Sequence, residues 1–137
     1  MYIISACLCG VNCKYNGKNN INEKCIQLVK EGKALPVCPE QLGGLTTPRT
    51  PAEIKGDAVI NKDGIDVSKN YNKGAMEALK IAKMVNADKA ILKDGSPSCG
   101  SSYIYDGTFT GKKISQMGVT AKLFKENNIE VQSENKL

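Results

Sequence analysis

Three cysteines, Cys7, Cys38 and Cys99, each stand just past a short apolar run of strand character: Tyr2 to Ala6, Ala34 to Val37 and Ala90 to Leu92. In an open parallel sheet the loops leaving the carboxyl ends of the strands gather along one edge, and ligands bind in the crevice there. Thiols far apart in the chain would then meet in space. Three thiolates are one short of a closed structural zinc site, which takes four protein ligands. They suit an iron-sulfur cluster, which cysteine thiolates hold, with one iron left open to a substrate.

The neighbours of these cysteines add acid-base capacity. Cys38-Pro39-Glu40 sets a carboxylate beside a ligand position, where proton transfer to or from a bound molecule is within reach. The plainer reading is a solvated loop glutamate; proximity to Cys38 favours the first. Ser96-Pro97-Ser98-Cys99-Gly100 brings two hydroxyls beside the third thiol, and either serine could instead cap backbone amides. Glu53 ranks behind Glu40 as a base because it lies further from any ligand position. Cys9 and Cys13 crowd the first loop, where Gly10 permits a tight turn around a bulky inorganic group, yet free cysteines are often small buried hydrophobes. Cys25 falls on the apolar face of a helix and reads as a core thiol.

The chain has no histidine. That removes serine or cysteine nucleophiles backed by histidine, Cys/His zinc fingers and the zinc deaminase site. Proton transfer is left to Glu, Asp, Lys, Tyr, Ser or water.

The positions of the thiols follow from the elements expected around them. The helix near Asn22 to Glu31 carries Ile21, Cys25, Leu28 and Val29 on one face. Gly32 ends it, and Pro39 to Pro51 reads as a long irregular loop of the kind that is usually functional. Ala58 to Ile60 and Ile65 to Val67 flank Asn61-Lys62-Asp63-Gly64 as a small hairpin. Ser68 to Val85 is the longest helix, with Tyr71, Ala75, Ala78, Leu79, Ala82 and Val85 as its buried stripe. Lys89 to Leu92 is the next strand. A short strand Tyr103 to Tyr105, a turn at Asp106-Gly107, a helix Val119 to Glu126 and a strand Ile129 to Val131 follow. Alternation of this kind predicts an α/β fold: one Rossmann-like domain over residues 1–137 with a mostly parallel sheet, helices on both faces and an added hairpin.

Bulk composition agrees with such a fold. The 137 residues are 41% hydrophobic and 24% charged, close to the globular average. No apolar run approaches the roughly eighteen residues of a membrane helix, and no basic-then-apolar leader is visible, so a cytoplasmic location and no membrane partner are expected. The six cysteines then read as reduced thiols or metal ligands rather than disulfides. A net charge of +5 is spread along the chain, and Trp is absent with two Phe present. That leaves no stacking platform for single strands, and no nucleic-acid partner is expected. Nothing in the pattern specifies an oligomeric state.

Several motifs together resemble the thiouracil desulfidase family, long catalogued as a domain of unknown function. They are Ser5-Ala6-Cys7-Leu8, Pro36-Val37-Cys38-Pro39-Glu40, Gly43-Gly44-Leu45, Pro48-Arg49, Ile91-Leu92-Lys93, Ser96-Pro97-Ser98-Cys99-Gly100 and Ile104-Tyr105-Asp106-Gly107-Thr108-Phe109. They run in the family's order over nearly the whole chain. The resemblance implies a 4Fe-4S cluster on Cys7, Cys38 and Cys99, with the fourth iron open to the sulfur of a thiolated nucleobase such as 2-thiouracil, or of a related thioamide. It further implies that Glu40 activates water at the polarised carbon. Ser96 would hydrogen-bond the substrate or relay a proton, and hydrogen sulfide would leave without net redox change. Cys9 stands where many members carry an apolar residue. The alternative is therefore a non-catalytic iron-sulfur or zinc module with Cys9 or Cys13 as fourth ligand.

Overall fold

The computed structural model describes residues 1–137. Its central feature is a parallel sheet of β1 (Tyr2–Ser5), β2 (Ala34–Val37), β5 (Lys89–Leu92) and β8 (Glu130–Ser133), in the order β2-β1-β5-β8. Alternate residues of these strands face opposite layers. Ile3, Val37, Ala90 and Leu92 pack against α3 (Ser68–Met84) and α4 (Val119–Glu126) through Ala78, Leu79, Ala82, Ala121 and Phe124. On the other face Ile4, Ala34 and Ile91 meet Cys25 of α1 (Glu23–Lys30) and Leu8. Helices thus cover both faces, and Cys25 is a fully buried core thiol, as the periodicity predicts. Ile21 departs from its expected place: it lies before the helix and is 58% exposed, because Asn22 caps α1 by accepting from the amides of Lys24 and Cys25 and so turns the preceding chain outward.

The chain passes from β1 to β2 on one side, then returns to β5 on the other side of β1. This reversal opens a crevice at the carboxyl ends of the strands, the usual ligand position in such sheets.

Two local elements differ from expectation. The hairpin pairs β3 (Ala52–Lys55) with β4 (Ala58–Asn61), antiparallel, with Ile54 opposite Val59. Asn61 to Gly64 does turn the chain back on β4, as expected: Ile60 bridges Asp66 antiparallel, and the Asn61 and Val67 amides donate to the Ile65 and Val59 carbonyls, both at 2.9 Å, but this return segment forms a single bridge rather than a strand. The Asn61 side chain accepts from the amides of Asp63 and Ile65, an Asx turn that satisfies the backbone locally. Further on, β6 (Ile104–Tyr105) pairs with β7 (Lys113–Ile114), a partner that carries no apolar alternation.

The loop after β2 begins as a helical turn, α2 (Pro39–Leu42). Proline suits the first position of a helix because its fixed φ is already helical and no amide is lost there. This turn lies backbone to backbone on α3. A Cβ on Gly74 would collide with the Pro39 carbonyl, and one on Gly43 with the Asn70 carbonyl, while the Asn70 amide donates to Gly43 O at 2.9 Å. Glycine within a helix costs about 1 kcal/mol relative to alanine, so its presence at position 74 reflects this close approach. Gly74→Ala is accordingly expected to lower stability by about 1–3 kcal/mol despite the better helix propensity, measurable by denaturant unfolding. An unchanged or raised midpoint would show that α2 can shift freely.

Candidate active site

Cys7, Cys38, Cys99, Glu40 and Ser96 line a single cavity of about 500 Å³. Each is delivered by a different local device. Beyond β1 the chain tightens into a 3-10 turn, Ala6–Cys9, closed by Gly10 in the left-handed region (φ 87°), and this turns Cys7 into the crevice. Cys38 occupies the N-cap of α2, and Glu40 lies in its first turn. The Cys99 loop is tied to the start of α4: the amides of Val119 and Thr120 donate to the carbonyls of Pro97 and Ser98, at 2.9 and 2.8 Å. Buried Ser98 also bonds the Thr120 hydroxyl at 2.8 Å. Asp94, also buried, anchors the far side of this loop by accepting from the amides and hydroxyls of Ser101 and Ser102.

The structure separates the remaining cysteines. Cys9 packs among Leu8, Cys25 and Ile91 and is not part of the cavity wall. Cys13 is buried, lines the cavity, and offers its carbonyl oxygen to the Cys38 thiol at 3.9 Å. Cys9 thus stands outside the cavity that Cys7, Cys13, Cys38 and Cys99 line. No three Cys, Asp or Glu side chains gather closely enough to hold one metal ion. A multi-iron cluster takes one cysteine per iron and so keeps the thiols apart.

Burial and charge act on these thiols in opposing directions. Burial pushes Cys99 and Cys7 up; for Cys7 the Asn20 side chain and the Lys93 ammonium work against it. A hydrogen bond from the Cys13 thiol draws Cys38 below the ordinary thiol range, despite its burial. Cys25, away from the cavity, is pushed up to about 12 by burial. Lys93 beside Cys7 and Arg49 beside Cys38 supply nearby positive charge, which favours the thiolate form.

Glu40 is held by two residues that sequence reasoning did not assign to the site. The Tyr71 hydroxyl donates to Glu40 Oε1 at 2.6 Å, and Arg49 Nε donates to the same oxygen at 3.2 Å. The Arg49 and Glu40 side chains are 7% and 15% exposed, so the pair is largely withdrawn from solvent. Arg49 also donates through Nη2 to the Cys13 carbonyl at 2.8 Å, and through Nη1 to Thr47 Oγ1 at 3.0 Å. Oε2 of Glu40 has no protein partner, and no buried side-chain oxygen lacks one, so Oε2 opens onto the cavity. Tyr71 sits on the apolar stripe of α3, and its one sequence signal is that a buried tyrosine hydroxyl needs a partner. Burial pushes the Tyr71 hydroxyl up, as does the Glu40 charge, which keeps it a donor.

Ser96 shows the capping geometry weighed above. Its Oγ accepts from the amides of Ser98 and Cys99 at 3.1 and 3.0 Å. A hydroxyl has two acceptor pairs and one proton, so the proton is what Ser96 has left to offer the cavity. Glu53 is also committed, its Oε1 accepting from the amides of Gly107 and Phe109.

Fold and site together define a Rossmann-like α/β protein with three strand-end thiols around one ligand cavity. The family description 2-thiouracil desulfurase matches residues 2–136. Among curated proteins, the uncharacterized protein YbbK of Bacillus subtilis (strain 168) is 48% identical over 147 aligned positions, covering 100% of this chain and 97% of YbbK. Among solved structures, the [4Fe-4S]-dependent thiouracil desulfidase TudS superposes with a TM-score of 0.95 at 41% identity, over 99% of this chain and 91% of TudS. The chain belongs to the 2-thiouracil desulfurase family.

Proposed function

We propose that the protein is a desulfidase that converts a thiolated nucleobase, 2-thiouracil or a close relative, to its oxo form with release of hydrogen sulfide. In the same reading Cys7, Cys38 and Cys99 hold a 4Fe-4S cluster. The observation that carries it is the carboxylate of Glu40, clamped at one oxygen and free at the other, in one cavity with three strand-end thiols and the Ser96 hydroxyl. Membership of the desulfurase family and the likeness to TudS support it.

The donor set fits such a cluster: three thiols, no histidine, and cationic Lys93 and Arg49 near the cysteines. A cluster held by Cys7, Cys38 and Cys99 would supply a Lewis-acidic iron able to polarise a thiocarbonyl. Glu40 Oε2 takes a proton from the water that attacks the thiocarbonyl carbon. Tyr71 and Arg49 hold Oε1, so the free oxygen keeps one orientation. Ser96 donates its proton to a substrate heteroatom. The overall change, thiocarbonyl plus water to carbonyl plus hydrogen sulfide, balances without an electron donor. No helix is long and apolar enough to cross a membrane, and a small-molecule partner in a cytoplasmic setting belongs to the same proposal.

The test is sulfide release by the anaerobically reconstituted protein from 2-thiouracil, 4-thiouracil and thiouridine. Uracil-type product in one-to-one ratio with sulfide, without added reductant, is the expected result. A cluster-loaded protein that releases no sulfide from any of them would sink the reading. Tyr71→Phe is expected to lower kcat about tenfold to a hundredfold with little change in KM, because the carboxylate loses its shorter anchor and its alignment. Steady-state kinetics at matched iron content check this, and an unchanged kcat would leave Arg49 as the sole anchor that matters.

A further inference from the structure

The two phenylalanines of the chain have different surroundings. Phe124 is fully buried in the core, whereas Phe109 belongs to none of the apolar clusters and is half-buried. It lines the cavity that holds the three thiols, Glu40 and Ser96. Tyr103 and Tyr105, on the same cavity, meet each other edge to face at 6.2 Å, and Phe109 has no aromatic partner. Its φ is +56°, in the left-handed region that bulky side chains rarely adopt.

That conformation is imposed from outside the loop. Glu53 Oε1, on β3, accepts from the Gly107 amide at 3.0 Å and the Phe109 amide at 3.1 Å. Gly107 seats the loop on β3 so closely that a Cβ there would lie 2.7 Å from the Ile54 carbonyl oxygen. Strained residues persist where the surroundings over-determine them, and they cluster at ligand clamps. No apolar cluster includes the phenyl ring at position 109, and the ring lines the cavity.

We infer that Phe109 is the stacking surface for the ring of a planar heteroaromatic thiocarbonyl and that Glu53 is the positioning residue that holds it there. This rests on the desulfidation reading for the reaction, while the stacking is a binding property and can be measured without turnover. An aromatic face is tolerant of ring substituents, so it selects for a flat ring rather than for one base.

The experiment measures Kd for uracil by calorimetry and kcat and KM for 2-thiouracil, all on anaerobically reconstituted protein. Phe109→Ala is expected to raise both Kd and KM roughly fivefold to a hundredfold with kcat within about threefold, and Phe109→Tyr is expected to restore them. Glu53→Ala should behave like Phe109→Ala. Glu53→Gln should stay near the wild type, because its amide oxygen accepts the same two bonds, and Phe109→Ala/Glu53→Ala should be no worse than Phe109→Ala alone. Kd and KM within about twofold of wild type for Phe109→Ala would overturn the proposal. A kcat collapse in Glu53→Gln would do so for Glu53, making it a proton-transfer group. If the wild type binds uracil, Phe109→Ala weakens that binding and no sulfide is ever released, the desulfidation reading fails and the stacking stands. If neither uracil nor 2-thiouracil binds the wild type, both fail.

Discussion

Cys38→Ser is expected to give a folded protein with no brown iron-sulfur chromophore after anaerobic reconstitution and no sulfide release from 2-thiouracil. A hydroxyl is a hard, weakly acidic donor and a poor replacement for a soft thiolate on iron. The fold should survive, because residue 38 is the N-cap of α2 and serine is a better N-cap than cysteine. Loss of the cluster would therefore report ligation rather than unfolding. The same loss is expected for Cys7→Ser and Cys99→Ser. Cys25→Ser and Cys9→Ser should retain the chromophore, since neither thiol lines the cavity. Cys13→Ser is the discriminating control. It keeps both chromophore and turnover if three ligands suffice, and loses the chromophore if Cys13 closes the fourth position. Iron and acid-labile sulfide per chain are the measurements, and a full complement of both in Cys38→Ser would refute the ligand assignment.

Glu40→Gln should load its cluster normally, bind thiouracil, and hydrolyse it very slowly. Removal of a positioned general base typically costs on the order of a hundredfold to ten-thousandfold in rate. Glutamine preserves the shape, and its amide oxygen can still accept from Tyr71 and Arg49 where Oε1 does now. The group facing the cavity then becomes an amide nitrogen that cannot take a proton. Glu40→Ala is a harsher variant, because it strands the Arg49 guanidinium in a largely buried position, where an unpaired charge is strongly destabilising. The glutamine variant separates chemistry from folding, and near-normal sulfide release at full cluster occupancy would remove Glu40 from the mechanism.

Ser96 and Tyr71, the two hydroxyl-bearing residues drawn into the site, illustrate how far sequence reasoning reached. Ser96 was visible by its place near Cys99; it caps two amides, and it also lines the cavity. Tyr71 was visible only as a core position, because helical periodicity reports which face is buried and not what the end of a long side chain touches. Arg49 lay in a loop without periodicity, and its bonds to Glu40 and to the Cys13 carbonyl join segments that are remote in sequence.

By itself the sequence determined the strands β1, β2 and β5, the helices α1, α3 and α4, and the convergence of Cys7, Cys38 and Cys99 with Glu40 and Ser96. These depend on local apolar spacing and on the rule that parallel strands share one carboxyl edge, except that the family resemblance singled out Ser96 from Ser98. Tertiary structure alone decided the rest. It gave β4 a full antiparallel partner in β3, a segment with no strand signal of its own, while the expected partner after the Asn61 turn makes only one bridge. Cys9 and Cys13 were sorted to opposite environments by the 3-10 turn after β1. The free oxygen of Glu40 was chosen by two donors from separate segments, and the ring of Phe109 was brought to the cavity by a carboxylate on β3. Each of these depends on a hydrogen bond or close contact between residues distant in the chain, which no local pattern encodes.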